Sequence, residues 1–116
     1  MSTARSPITT HVLDTAIGKP ARGVALAIAR LEGGAFVELA RGETDADGRH
    51  AHLLAPGSLI PGTYRMRFEV APYFAATQRP SFYPHVEIVF TIERTDEHYH
   101  VPLLVSPFGF STYRGS

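Results

Sequence analysis

Between Thr63 and Val70 the chain alternates without exception. Tyr64, Met66, Phe68 and Val70 are apolar, and Arg65, Arg67 and Glu69 between them are charged. Successive side chains of a strand point to opposite faces, so this period of two demands a sheet with one face in a core and one in water. Pro61-Gly62 just before it supplies a turn. Such a strand needs partners, and nine prolines with ten glycines leave little room for long helices. An all-β fold follows.

The remaining segments fit that reading. Gly23 to Leu31 places Val24, Leu26 and Ile28 on one face and Ala25, Ala27 and Ala29 on the other. Alanine is a poor strand former, so a helix competes here. Gly33-Gly34 ends the segment, and Phe36 to Arg41 reads as its partner across a short turn. Asp45-Ala46-Asp47-Gly48 offers a glycine for positive φ, with Arg49 directly after it. Ile8 to Asp14, Val86 to Ile92, Tyr99 to Val105 and Phe110 to Arg114 complete the set, and only Ala71 to Gln78 looks helical. About seven or eight short strands separated by turns predict a two-sheet sandwich. At 116 residues the chain is expected to be one domain, residues 1–116, with residues 1–7 a flexible amino-terminal tail.

Eleven basic and eleven acidic residues cancel. No net field draws the chain to nucleic acid or an anionic membrane, so a small molecule or a like subunit is the expected partner. The absence of cysteine removes disulfides, thiolate metal sites and thiol nucleophiles. Met1 to Pro7 lacks the apolar core of a secretory signal, and no apolar run approaches the ~18 residues that span a bilayer. A cytoplasmic location is expected.

Six histidines mark where chemistry can reside: His11, His50, His52, His85, His98 and His100. Imidazole exchanges protons near neutrality. Spacing of two places His50 with His52, and His98 with His100, on common strand faces. A zinc site could be assembled from such a pair and a third histidine. The plainer reading of His50, His52, His85 and His98 is as solvated or hydrogen-bonded surface residues. His11 and His100 each interrupt an apolar strand, and composition alone favours a satisfied structural histidine at both. No Gly-x-Ser-x-Gly turn supports seryl catalysis, and no glycine-rich loop cradles phosphate.

Two segments carry a resemblance. His11-Val12-Leu13-Asp14-Thr15-Ala16-Ile17-Gly18-Lys19-Pro20-Ala21 and Tyr99-His100-Val101-Pro102-Leu103-Leu104-Val105-Ser106-Pro107-Phe108-Gly109-Phe110-Ser111 resemble the transthyretin family. The closing Tyr113-Arg114-Gly115-Ser116 is similar to the 5-hydroxyisourate hydrolase branch rather than to the hormone carriers, which also lack histidine at the positions of His11 and His100. Phe110 stands where many relatives carry tyrosine.

The resemblance implies a transthyretin-like two-sheet sandwich with one short helix. It implies a homotetramer, a dimer of dimers, with sites at the dimer–dimer interface. The implied reaction converts 5-hydroxyisourate to 2-oxo-4-hydroxy-4-carboxy-5-ureidoimidazoline in urate degradation, and a hormone-type carrier is the alternative. The implied catalytic residues are His11, Arg49, His100 and Ser116, with His11, Arg49, Tyr113, Arg114 and Gly115 binding substrate. One of His11 and His100 is expected to deprotonate water while the other serves substrate or leaving nitrogen. Arg49, with its planar fork of donors, faces the oxygen on which charge develops. Tyr113 supplies a flat face and a hydroxyl, and Ser116 a hydroxyl and the terminal carboxylate. No metal and no organic cofactor is expected.

Overall fold

The computed structural model describes residues 6–115. Most of the tail expected over residues 1–7 lies outside that range, but Ser6 and Pro7 do not behave as a tail. Ser6 is buried, its hydroxyl donates to the Ile8 carbonyl at 2.6 Å, and its oxygen accepts from Leu54 N–H at 3.1 Å. The Pro7 carbonyl accepts from Tyr99 N–H at 2.9 Å.

The elements run β1 (Ile8–Asp14), β2 (Lys19–Pro20), β3 (Ala25–Glu32), β4 (Ala35–Glu43), β5 (Arg49–His50), β6 (Gly62–Glu69), α1 (Val70–Ala76), β7 (Val86–Ile92), β8 (Tyr99–Ser106) and β9 (Gly109–Thr112). They form two sheets. One has the order β2-β1-β8-β9 with β5 also paired to β1, and the other the order β4-β3-β6-β7. The expected all-β sandwich with one short helix is the fold observed. Among the described residues, no helix is long and apolar enough to cross a membrane.

Tyr64, Met66 and Phe68 of β6 are fully buried, and across the ladder Phe68 faces Leu26 while Met66 faces Ile28. Each such side chain contributes roughly 1.5–3 kcal/mol by leaving water. The alanine-rich stretch is a strand because β3 lies between β4 and β6, where small side chains permit close neighbours. The β3–β4 register shifts between Ile28 and Ala29, and Ala29 is buried along with Ile28. Val70, read from the sequence as the end of the strand, instead opens α1. Val70 and Phe74, four residues apart, share one helix face and are both buried.

Among the described residues, every pairing is antiparallel except one. β1 and β8 run parallel, from Ile8 beside Tyr99 to Asp14 beside Val105. Nothing in the alternation pattern distinguishes this from an antiparallel pair. Its inward residues, Ile8, Val12, Val101 and Leu103, join the core, while Thr9, His11 and His100 point to the outer face.

At the end of β1 the Asp14 side chain is completely buried. It accepts from Arg79 Nη2 at 2.6 Å, from the Tyr73 hydroxyl at 2.8 Å and from Ala16 N–H at 3.1 Å. Burial pushes its pKa up, but the bonds from Arg79 and Tyr73 outweigh this and hold it below the usual value. The cluster ties α1 and the segment after it to the sheet. Replacing Arg79 leaves a buried carboxylate short of its partner, and Arg79→Ala should cost about 3 kcal/mol in denaturant unfolding. Because the folded pKa is depressed, Asp14 contributes fully above its unfolded value near ~3.9, and the contribution fades as pH falls through the folded one. Asp14→Asn should therefore flatten part of the acid limb of the stability profile.

Candidate active site

The outer face of the first sheet gathers the polar residues. His11 lies opposite Arg49 in the β1–β5 ladder, and Thr9 lies beside His100 in the β1–β8 ladder. The turn before Arg49 is built to present it. Gly48 has φ +75°, and a Cβ there would collide with the Val12 carbonyl oxygen. Val12 N–H donates to the Gly48 carbonyl at 2.7 Å, which seats the turn on β1. Asp45 Oδ1 accepts from Asp47 N–H at 2.9 Å and Arg49 N–H at 3.0 Å. The bond from Arg49 N–H is the leading cause that holds the Asp45 carboxyl below its ordinary pKa. Arg49 itself projects exposed from this frame.

A cleft of about 330 Å³ opens here, lined by Thr9, Thr10, Arg49, His50, Ala51, His98 and His100. Two histidines assigned to the plain surface, His50 and His98, thus belong to its wall. Their pairing on strand faces does not hold as expected, because β5 stops at His50 before His52, and His98 precedes β8. His98 reaches the site by another route: its Nε2 lies 2.9 Å from Thr9 Oγ1, and His100 Nδ1 lies 2.9 Å from the same oxygen. His50 packs on Gly42, where any Cβ would strike the ring. Burial, helped by His52 and opposed by Asp45, holds the His50 pKa below the ordinary histidine value. His85 lies apart, 4.0 Å from Glu87. No cluster of three metal-ligating side chains occurs among the described residues.

The chain end divides. Continuing the β8–β9 register, in which Leu103 faces Thr112, would set Pro102 opposite Tyr113. Pro102 has no N–H to donate, and its carbonyl instead accepts from the Thr112 hydroxyl at 2.7 Å. The ladder opens there and resumes at Gly115, whose N–H donates to the His100 carbonyl at 2.8 Å. Gly115 is buried against the imidazole, and a Cβ on it would lie 2.6 Å from His100 Cδ2. Tyr113 and Arg114, expected at the site, line a different hollow of about 270 Å³ with Ile88, Phe90, Tyr99 and Val101. Arg114 pairs with Glu97 at 2.7 Å and stacks on Tyr99. Within one chain, then, Arg49, His100 and Gly115 converge, His11 adjoins them on the same face, and Tyr113 and Arg114 look elsewhere. Ser116 lies outside the described residues.

Thr9 and His98 were legible only as weak signals. Each precedes a flagged histidine by two residues, the spacing that returns a strand side chain to the same face.

Comparison with known proteins places these features in context. The model of the HIUase/Transthyretin family matches residues 8–115. The 5-hydroxyisourate hydrolase of Mus musculus is 48% identical over an alignment of 118 positions that covers 100% of each chain. The solved structure of Klebsiella pneumoniae 5-hydroxyisourate hydrolase superposes with a TM-score of 0.84 at 38% identity, covering 98% of this chain and 100% of that one. Sea bream transthyretin in complex with thyroxine superposes with a TM-score of 0.90 at 30% identity, covering 95% of each. The backbone is common to enzyme and carrier. The side chains lie nearer the enzymes.

The contact of Gly115 with His100 admits a direct check. Gly115→Ala should move the His100 ring resonances in NMR spectra as the added methyl separates chain end and ring. Ring or backbone must shift to admit the methyl, so stability should fall by about 1–3 kcal/mol without loss of the fold.

Proposed function

The chain belongs to the HIUase/Transthyretin family, and within it we propose that this protein hydrolyses 5-hydroxyisourate. The observation that carries the reading is the convergence of Arg49, His100 and the chain end on the face of the sheet that also bears His11. A carrier has no use for such a set. The 48% identity to the mouse hydrolase, against 30% to the thyroxine-bound transthyretin, favours the enzyme as well.

The reaction opens the six-membered ring at a carbonyl. Water adds to the carbonyl carbon, the C–N bond breaks, the nitrogen takes a proton, and a carboxylate forms in 2-oxo-4-hydroxy-4-carboxy-5-ureidoimidazoline. A neutral imidazole removes the proton from water as it attacks, a task worth ~10²–10⁴ in rate. His100 is the better placed base, since it lines the cleft and is braced by Thr9 and Gly115. His11, beside Arg49 in the ladder, orients the substrate ring by a hydrogen bond, and the proton that His100 takes from water passes on to the departing nitrogen. Arg49 stands exposed at the cleft wall, free to meet the carbonyl oxygen as it gains charge. Removing such a donor typically costs about 10²–10³. Ser116, next in sequence after the glycine that touches His100, contributes its hydroxyl to the set.

The assembly read from the resemblance, a homotetramer of two dimers, forms part of the proposal. Leu13 and Leu104 lie side by side on the outer face, both half-buried, and continue the face that bears His11. An apolar surface flanking a polar cleft suits burial against a second copy. In such an assembly a neighbouring copy can bring the Tyr113 and Arg114 that one chain turns away from its own cleft.

Turnover is measured by generating 5-hydroxyisourate from urate with urate oxidase and following its absorbance. His11→Ala, Arg49→Ala and His100→Ala should each lower the rate at least about a hundredfold. His85→Ala, outside the cleft, should leave it near that of the unsubstituted protein. Equal loss in all four variants would contradict the assignment. Leu104→Glu should give a smaller species in sedimentation and a large loss of activity without unfolding. A fully active monomer would overturn the shared-site proposal.

A further inference from the structure

One hydroxyl lies between two imidazoles. Thr9 Oγ1 is 2.9 Å from His98 Nε2 and 2.9 Å from His100 Nδ1. A hydroxyl owns one proton, so it donates to at most one of these nitrogens. The other bond requires that its ring nitrogen carry the hydrogen. We propose that Thr9 is a positioning residue: it donates to His98 Nε2, accepts from His100 Nδ1–H, and so keeps His100 Nε2 free of its proton as the base. The inference rests on the hydrolase reading above and adds a role for Thr9 and His98 to it.

The opposite polarity defeats the chemistry. If Thr9 donated to His100 Nδ1, a neutral His100 would carry its proton on Nε2, and its basic nitrogen would be occupied by the hydroxyl. With the proposed polarity His100 takes the proton of water at Nε2 while Nδ1–H stays bonded to Thr9. That proton then passes to the departing nitrogen as the C–N bond breaks. Both Thr9 bonds are kept before and after, and the Thr9 proton does not move.

The geometry is held firmly. Thr9 is only 5% exposed and lies in β1 directly beside His100 of β8. Its β-branched side chain has few rotamers. The Cβ, Cγ and Cδ2 side of the His100 ring lies against Gly115, which leaves Nδ1 on the side of Thr9. His98 sits half-buried just before β8 and supplies the acceptor that draws the hydroxyl proton away from His100.

Nitrogen-15 spectra of the histidine rings report the tautomer directly and are read beside turnover of enzymatically generated 5-hydroxyisourate. In the unsubstituted protein His100 should carry its proton on Nδ1. Thr9→Val keeps the shape and loses the hydroxyl. It should shift His100 toward the Nε2–H form and lower kcat about ten- to a hundredfold, with KM little changed. Thr9→Ser should restore both. His98→Phe removes the acceptor and should move tautomer and kcat in the same direction, which gives a second variant if Thr9→Val folds poorly. An Nε2–H tautomer in the unsubstituted protein overturns the proposal. So does a kcat loss without a tautomer change, or a tautomer change without loss. If the unsubstituted protein fails to consume 5-hydroxyisourate, the hydrolase reading falls, while the ring spectra still decide where the proton sits.

Discussion

β1 and β8 lie some ninety residues apart in sequence, and their parallel register sets the position of everything that matters at the cleft. It places Thr9 beside His100 and His11 beside Pro102. Its inward residues anchor both strands in the core, so a slip of β1 by one residue would turn Thr9 inward and Ile8 outward, and a slip of β8 would turn His100 inward and Val101 outward. Burying a hydroxyl or an imidazole while exposing a large apolar side chain is costly, and the register is therefore held by the core itself. Buried Asp14, clamped by Arg79 and Tyr73 at the end of β1, secures the same strand from one end.

The strands were legible because their physics is local. Tyr64, Met66 and Phe68 announce a half-buried strand through a period of two, and Gly48 announces its turn through a positive φ that the structure bears out. The cleft was only partly legible. Arg49 and His100 stood out through the resemblance, but Thr9 and His98 meet only through a long-range parallel pairing that no local pattern encodes. The direction of Tyr113 and Arg114 was hidden for a similar reason. It depends on Pro102 falling where the ladder needs an N–H, and that follows from register rather than from either segment alone.

The likeness to both a hydrolase and a thyroxine-bound transthyretin shows how little of the activity resides in the backbone. Sheets that superpose with TM-scores of 0.84 and 0.90 support different tasks. What the scaffold supplies is a rigid outer face on which alternate residues of neighbouring strands stand side by side. Chemistry enters when those residues are a threonine, histidines and an arginine, and when Gly115 is small enough to lie on an imidazole.

The central claim is that substrate binds on that outer face, against Arg49 and His100. It is tested most directly by a crystal structure with a non-hydrolysable oxidised purine analogue bound. The account predicts the analogue in the cleft walled by Thr9, Arg49 and His100, with the Arg49 guanidinium on a ring oxygen and His100 Nε2 facing the carbonyl carbon. An analogue seated instead in the apolar hollow beside Ile88 and Tyr99, with the histidine cleft empty, would contradict it.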